Sequence, residues 1–405
     1  MRKPDITTRI AVTGVGIICS IGRNKDEVWT SIRESRSGIR KLTRFPGETF
    51  PTDLAAEVDG ALAPKLPIGR GEARRLSRSD LLAVVAASEA IAEANGAGAP
   101  LPLERAIVSS GTSTGGLLEG EDYYFRRLVR GRRRTPPSRV LQQPTSGPSD
   151  AVARVFNAGG GVVSNATACA SAGAALGMAA DYLRSRHADV AIAGGSDALC
   201  RLTYSGFNVL QAVDPEPCSP FDASRKGISL GEGAAYLVLE RWEDAVARGA
   251  RILAELCGYG ATCDAHHATA PHEDGRGAEA AMRAAIAESG GRTVDYVNAH
   301  GTGTLLNDSA ETRAIAAAIG TTVPVSSTKS YFGHTLGASG AVEAVITVLA
   351  LLHQLAPPTL RLEKAADDCP LDYIPHTPRP LPMTHALSNT FGFGGSNVSL
   401  LFRRA

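Results

Sequence analysis

A cysteine placed where a predicted strand meets an Ala-rich helix is the first candidate for chemistry. Cys169 follows the strand predicted over residues 162–168 and precedes a helix predicted over 171–184. The positive end of a helix dipole lowers the pKa of such a thiol, and the free N–H groups there can hold an oxyanion. Because an isolated cysteine is more often inert core, the assignment needs partner residues.

Two histidines in glycine-flanked segments supply such partners. His300 follows a strand predicted over residues 294–297, and hydroxyl side chains follow it at Thr302 and Thr304. His334 lies between Gly333 and the start of a second Ala-rich helix. The long gaps between these residues do not match metal-ligand spacing, whereas a reactive cysteine with distant histidines is typical of nucleophilic catalysis.

Metal-ligand spacing is also missing from the other cluster of histidines. His266, His267 and His272 cluster in a polar loop, but no cysteine or acidic residue completes a ligand spacing there. The sequence therefore predicts no bound metal.

Buried β-branched runs that alternate with helical stretches indicate an α/β architecture. Residues 10–16, 106–110 and 189–193 each read as a strand that leads into a glycine-rich turn. The Gly14-Val15-Gly16 segment resembles the start of a dinucleotide loop, but Cys19 stands where the third glycine is due.

The second half of the chain repeats the first. A strand predicted over residues 323–327 leads through Lys329 and His334 into a helix from about residue 339 to 352, as the strand before Cys169 leads into its helix. Small residues at both junctions allow close helix packing. We therefore predict two halves, 1–250 and 251–405, with an irregular insertion at about 116–149.

Five segments carry a resemblance to a known family. The chain resembles the elongating β-ketoacyl-acyl carrier protein synthases of the thiolase-like superfamily over residues 10–402. The resemblance implies a thiolase-like α/β fold, with duplicated βαβαβαββ halves in a layered αβαβα sandwich. The matching segments are residues 167–171, 231–234, 300–304, 329–340 and 391–397.

The resemblance also implies a mechanism. Cys169 would accept an acyl chain as a thioester, and malonyl-carrier protein would then lose CO₂ beside His300 and His334. Two imidazole N–H donors can stabilise the resulting enolate in a dry pocket. Attack on the thioester would extend the chain by two carbons, with the backbone N–H groups of Cys169 and Phe393 as the second oxyanion hole. No cofactor is expected, because substrates arrive on the phosphopantetheine arm of acyl carrier protein.

Further site residues follow from the resemblance. It implies that Lys329 pairs with Glu343 and keeps the histidine region ordered. Phe393 is expected to gate the nucleophile, with Gly392 and Gly394 giving its loop conformational freedom. The resemblance assigns supporting positions to Asp308, Glu311 and Asp264, which on the residues alone read equally well as scaffold. Thr302 and Thr304, the hydroxyl side chains that follow His300, are also expected to support the site.

Departures from the family pattern bear on the acyl substrate. Thr114 stands where many relatives carry a large apolar residue of the acyl pocket, and it suggests a different, longer or unsaturated chain. Phe207 matches a pocket position. Residues 214–222 are similar to specialised synthases, including those of aryl polyene and polyketide pathways.

The residues expected to contact the carrier protein also depart from the family pattern. Gln211 replaces an arginine that contacts the carrier in many relatives. The arginine-rich run 126–134 reads either as a solvated surface or as a docking surface for an acidic partner. Other candidates for the missing contact are Arg74, Arg75 and Arg78.

Composition limits the other function classes. With 42 Lys+Arg against 41 Asp+Glu, the net charge of +1 favours neither nucleic acid nor a membrane surface. The longest apolar run, residues 344–352, is too short for a membrane span, and no secretory signal is seen. Seven scattered cysteines indicate no disulfide framework. We expect a cytoplasmic protein.

Four other classes of protein with the same fold fit the sequence less well. A catalytically silent chain-length factor would lack the nucleophile, whereas Cys169, His300 and His334 are all present. Thiolases use a second cysteine and initiating synthases a Cys-His-Asn set, so the two-histidine pattern disfavours both. The chain ends directly after its last predicted strand, which favours a stand-alone protein over a domain of a modular synthase. We expect a dimer, either with itself or with a chain-length factor.

Overall fold

The computed structural model of the chain describes residues 7–45, 50, 52–60, 62, 66–131, 134 and 136–405. The strands in this part of the chain are β1 (Ile10–Cys19), β2 (Arg40–Lys41), β3 (Leu54–Ala56), β4 (Ala106–Gly111), β5 (Gly161–Asn165), β6 (Val190–Asp197), β7 (Leu230–Gly231), β8 (Gly233–Arg241), β9 (Ala254–Cys263), β10 (Tyr296–Asn298), β11 (Pro324–Ser326), β12 (Leu355–Ala356), β13 (Asp372–Tyr373), β14 (Arg379–Pro380), β15 (His385–Gly392) and β16 (Ser396–Arg404).

Helices cover both faces of the main sheet. The α-helices in the described part of the chain are α1 (Lys25–Arg33), α2 (Arg70–Ala73), α3 (Arg78–Ala94), α4 (Leu117–Tyr124), α5 (Gly147–Phe156), α6 (Ser171–Arg184), α7 (Arg201–Val209), α8 (Trp242–Ala247), α9 (Arg276–Glu288), α10 (Leu305–Ala318), α11 (Lys329–Phe332) and α12 (Ser339–His353).

The strand order shows that the chain is duplicated. The first half pairs its long strands in the order β5-β4-β6-β8-β1, and the second half pairs its own as β11-β10-β15-β16-β9. Numbered within each half, both orders are third-second-fourth-fifth-first. β1 and β9 pair antiparallel and join the halves, and β13 adds beside β11. The predicted duplication is confirmed.

The layers follow from the packing of the helices. α3 covers the outer face of the first half-sheet, and α9 covers that of the second. α6 and α12 lie buried between the half-sheets. There a Cβ at Gly340 would come 2.5 Å from the backbone nitrogen of Gly173, so glycine is required for the two helices to touch. The result is the expected αβαβα sandwich.

The glycines of β1 serve packing. Gly14 and Gly16 lie within the strand, and a Cβ on either would stand 2.1 or 2.0 Å from a carbonyl oxygen of α3. The segment is therefore a strand–helix contact and not a phosphate-binding turn.

The predicted insertion contains more regular structure than we expected. It begins with α4, continues as a π-helical turn over Phe125–Val129 and includes a 3₁₀ segment over Pro137–Gln142. Residues 132 and 133 of the arginine-rich run lie outside the described residues. Leu128 and Leu141 are exposed on this surface.

One helical stretch in the described part of the chain, Leu336–His353, is apolar and long enough to match a membrane span by length and composition. Within it, 89% of the residues are buried inside the protein. Its position as the central helix of the second half accounts for that composition.

Candidate active site

Cys169 lies at a sharp turn between β5 and α6. The turn is a 3₁₀ segment over Ala168–Ala170, and Ala168 has a φ of 51°, which is left-handed for a residue with a Cβ. Such a backbone costs about 1–2 kcal/mol. It turns the chain so that the buried thiol lines a cavity of about 330 Å³, which His300 and His334 also line. The three predicted residues therefore meet at one site.

The thiol of Cys169 is not the thiolate that the helix position suggested. Burial raises the pKa of Cys169 to about 11, although the charge of Lys329 and the backbone N–H of Phe393 both act to lower it. The predicted lowering of this pKa is wrong, because loss of hydration outweighs the helix end. The resting nucleophile is a thiol, so its proton must leave during acyl transfer.

His300 is oriented from both sides. The backbone N–H groups of His300 and Gly301 donate to the two carboxylate oxygens of Glu311 at 2.8 and 2.7 Å. The Lys329 ammonium, which carries only donors, lies 3.1 Å from Nδ1 of His300. Nδ1 is thus the acceptor, and Nε2 carries the ring proton.

His334 has the same tautomer for a different reason. The backbone N–H of Leu336 donates to its Nδ1 at 2.9 Å, which leaves the proton on Nε2. The two imidazole rings stand perpendicular, with centroids 5.4 Å apart. Burial, and then the charge of Lys329, lower the pKa of both histidines well below the usual value. Both rings are therefore neutral N–H donors near pH 7.

Lys329 forms an ion pair with Glu343, as predicted, and both side chains are fully buried. Burial raises the pKa of Glu343 to about 7, and the Lys329 charge opposes that rise. Since Lys329 also donates to His300, the pair fixes that imidazole as well as the charge balance of the site.

A glycine-rich loop closes one side of the cavity. A Cβ on Gly392 would come 3.1 Å from the backbone nitrogen of Cys169, so glycine allows the loop to lie against the nucleophile. Phe393 is 36% exposed and its ring lies 5.5 Å from that of Phe207. Gly394 has a φ of 83°, which only glycine adopts freely. The backbone N–H groups of Phe393 and Cys169 both act to lower the pKa of the thiol.

Comparisons with known protein families identify the family to which the chain belongs. Residues 7–245 match the N-terminal domain of beta-ketoacyl synthases, and residues 253–363 match the C-terminal domain. The chain belongs to the beta-ketoacyl synthase family. It is 40% identical over 408 residues to a 3-oxoacyl-[acyl-carrier-protein] synthase 2 of Synechocystis, with 98% of each chain covered. It is 38% identical over 402 residues to nodulation protein E of Rhizobium meliloti, covering 98% of this chain and 99% of that one.

Solved structures give the same fold. The ishigamide ketosynthase/chain length factor superposes with a TM-score of 0.93 at 34% identity, covering 98% of this chain and 99% of that one. A type II PKS acyl-carrier protein in complex with its ketosynthase superposes with a TM-score of 0.87 at 29% identity, with 98% and 99% covered. The thiolase-like fold expected from the sequence is confirmed.

The acidic supporting residues of this ketoacyl synthase differ in role. Asp308 accepts the N–H groups of Thr302, Gly303 and Phe221, so it shapes the loop after His300 without lining the cavity. Asp264 does line the cavity, and its backbone N–H donates to Gly395 of the gating loop.

The two threonines that follow His300 form part of the cavity wall. Thr302 and Thr304 both line it, and their hydroxyl oxygens lie 3.0 Å apart. They therefore add two hydroxyl groups to the wall of the cavity that contains Cys169.

The structure corrects one docking candidate. Arg78 donates from its guanidinium to both oxygens of the buried Glu232, so its charge is satisfied inside the protein. Arg74 and Arg75 are exposed and stay predictions, and Phe207 lines the cavity. Thr114 is buried, its hydroxyl donates to Asp197 at 2.7 Å, and its place in the acyl pocket stays a prediction.

Asp197 is a positioning residue that was not predicted from the sequence. Its carboxylate accepts the backbone N–H groups of Ser113, Thr114 and Gly337. It thereby ties the loop after β4 in the first half to the turn that follows His334 in the second. A carboxylate at the end of the buried strand β6 was the available signal.

Proposed function

We propose that the protein is a β-ketoacyl-acyl carrier protein synthase, which extends an acyl chain by two carbons in fatty acid or polyene and polyketide biosynthesis. The observation that carries the proposal is the shared cavity, where a buried thiol meets two neutral imidazoles that both keep a free N–H. Relatives named 3-oxoacyl-[acyl-carrier-protein] synthase 2 support it.

The first step is acyl transfer to Cys169. Its Sγ bonds to the acyl carbonyl carbon while the bond to the carrier's thiol breaks, and the Cys169 proton is lost to the leaving sulfur. The N–H groups of Cys169 and Phe393 hold the oxyanion. A buried thiol suits this step, because a dry site also protects the thioester from hydrolysis.

The second step uses the histidines. Malonyl-carrier loses CO₂, and the electron pair of the broken C–C bond passes to the thioester oxygen as an enolate. The Nε2–H groups of His300 and His334 stabilise the negative charge that moves from the malonyl carboxylate onto this oxygen, which carries much less charge in the bound substrate. The enolate carbon then attacks the Cys169 thioester, and the Cys169 sulfur leaves as a thiolate, which takes up a proton from solvent to restore the resting thiol. Residues of this chain supply every role, so we propose that no cofactor is needed.

Acylation tests the proposal directly. When the protein is incubated with acyl-carrier proteins of different chain length and unsaturation, intact mass spectrometry should show one thioester adduct. The adduct should vanish in Cys169→Ala and persist in Cys218→Ala, another buried cysteine outside the cavity lining. An adduct that survives Cys169→Ala would refute the nucleophile. The preferred donor reports the acyl substrate.

We further propose that the enzyme assembles as a dimer through β5. This strand pairs with β4 on one side and forms one end of the main sheet. Its outer residues are exposed, and Val162 is 43% exposed. An open strand edge of this kind pairs readily with another chain. The partner is a second copy or a chain-length factor, as in the ishigamide neighbour.

A charge on this edge tests the assembly. Val162→Lys should convert the dimer to a monomer in sedimentation velocity while the circular dichroism spectrum stays unchanged, because the added lysines repel each other across the strand pair. Val246→Lys, at an exposed apolar position of α8, is the matched control and should stay dimeric. A Val162→Lys protein that keeps the wild-type mass would contradict the β5 interface. Co-expression with neighbouring gene products distinguishes the two partners.

We also propose a cytoplasmic location. All seven cysteines lie in the described part of the chain and none is paired in a disulfide. Unpaired thiols of this number are typical of a reducing compartment.

A further inference from the structure

The mouth of the active-site cavity carries an unusual set of exposed leucines. Leu210 follows α7 directly, and Leu305 and Leu306 form the first turn of α10. They are 53%, 59% and 64% exposed, and all three line the cavity that contains Cys169. We refer to Leu210, Leu305 and Leu306 as the leucine rim.

The rim is held in place by the backbone and does not reach the core. Thr304 caps α10 by accepting the backbone N–H of Asn307, which fixes the first turn at the mouth. Arg225 donates to the carbonyl of Leu305 at 3.4 Å. Apolar side chains gathered at an entrance and kept in solvent indicate a contact surface for another molecule.

A positive charge lies beside the leucines. Lys226 also lines the cavity and its side chain is exposed, while its backbone N–H is bound to Asp214. The mouth therefore combines an apolar patch with one cation, whereas Gln211, which also lines it, is uncharged.

We propose that the leucine rim and Lys226 dock the acyl carrier protein through an apolar contact, with Lys226 pairing the phosphodiester at the base of its prosthetic arm. The proposal rests on the proposed function. A second copy of the chain over this mouth would block the path to Cys169. The occupant must instead arrive with the substrate and leave after each transfer, which fits the carrier.

This assignment differs from the sequence-based candidates for docking. Arg78 is satisfied internally by Glu232, and Arg74 and Arg75 do not line the cavity. The prosthetic arm enters the cavity at its mouth, so the carrier protein must bind there. Residues at the mouth are therefore better placed to hold the carrier than arginines that do not line the cavity.

Two acyl donors separate docking from chemistry. Acylation of Cys169 by acyl-carrier protein needs the protein contact. Acylation by the same acyl group on free pantetheine does not need it, because pantetheine lacks both the protein and the phosphodiester. For Leu305→Ser/Leu306→Ser we expect the rate of Cys169 acylation from subsaturating acyl-carrier to fall about 10-fold, as for loss of an interface anchor. With acyl-pantetheine as the donor, the rate of Cys169 acylation should fall by no more than about twofold, which is at least about fivefold less than with the carrier. Lys226→Glu should show the same donor preference and weaken the salt dependence of the carrier reaction.

Val246→Ser, at an exposed apolar position of α8, is the matched control and should acylate from both donors at wild-type rates. Equal slowing with both donors, or an unchanged rate with the carrier, would overturn the docking surface. Wild-type protein that is acylated by neither donor would refute the condensing activity itself, and the docking surface with it.

Discussion

Replacing His300 or His334 by alanine is expected to suppress malonyl decarboxylation while Cys169 still accepts an acyl chain. Each variant removes one Nε2–H donor from the enolate, and loss of one such donor costs roughly 10²–10³ in rate. We expect CO₂ release from malonyl-carrier protein to fall by about that factor, measured with radiolabelled malonyl groups. Acylation of Cys169, followed by intact mass, should change by only a few-fold.

The conservative variants sharpen this test. His300→Gln and His334→Gln keep an N–H donor in the side chain, so they should retain more decarboxylation than the alanine variants. If both alanine variants release CO₂ at the wild-type rate, the histidines are not the enolate donors.

The pH dependence of decarboxylation in the wild-type protein tests the same role of the histidines. Burial and the Lys329 charge lower the pKa of both histidines, so the neutral rings persist below the usual titration range. Decarboxylation should therefore not follow the protonation of a histidine of ordinary pKa, about 6.5, between about pH 8 and pH 6. Protonation of Glu343, whose pKa is about 7, leaves the Lys329 ammonium beside Nδ1 of His300 in place. A midpoint near pH 6.5 would contradict the lowered values.

Breaking the buried pair of Lys329 and Glu343 should have the largest effect on stability. Lys329→Met leaves the Glu343 carboxylate buried without its partner, and loss of one member of such a pair costs about 3–5 kcal/mol. We expect the free energy of unfolding in urea to fall by this amount near pH 8. The double variant Lys329→Met/Glu343→Leu, with an apolar pair in place of the charges, should recover most of it.

The sign of the pH dependence follows from Glu343. Burial raises its pKa to about 7, above the unfolded value of 4.5, so its protonated form is favoured in the folded state. A carboxyl group of this kind contributes stability below the unfolded pKa, and the contribution is lost as pH rises through the folded pKa. The deficit of Lys329→Met should therefore be smaller near pH 5 than near pH 8.

Activity separates the structural role of the pair from its positioning role. The stable double variant still lacks the ammonium that donates to Nδ1 of His300, so its decarboxylation should stay low while acylation of Cys169 continues. Full recovery of decarboxylation together with stability would show that Lys329 serves only the ion pair.

Much of this enzyme was determined by local sequence. The local sequence around Cys169, His300 and His334 predicted the three reacting groups. It could do so because a glycine-flanked turn after a strand is recognisable from neighbouring residues alone. The repeated strand–helix junctions predicted the duplication that the strand order shows. The pairing of Lys329 with Glu343 was implied by the family resemblance, and the structure contains that ion pair.

Burial and long-range contacts decided the rest. The helix end argued for a thiolate at Cys169, but burial of the thiol reverses the shift of its pKa. Arg78 reads as a surface cation until the fold brings Glu232 to it from another strand region. Asp197 acquires its role only where both halves meet at Gly337. Local sequence fixes a residue's chemistry and its element, whereas charge state and partners depend on which distant atoms exclude water around it.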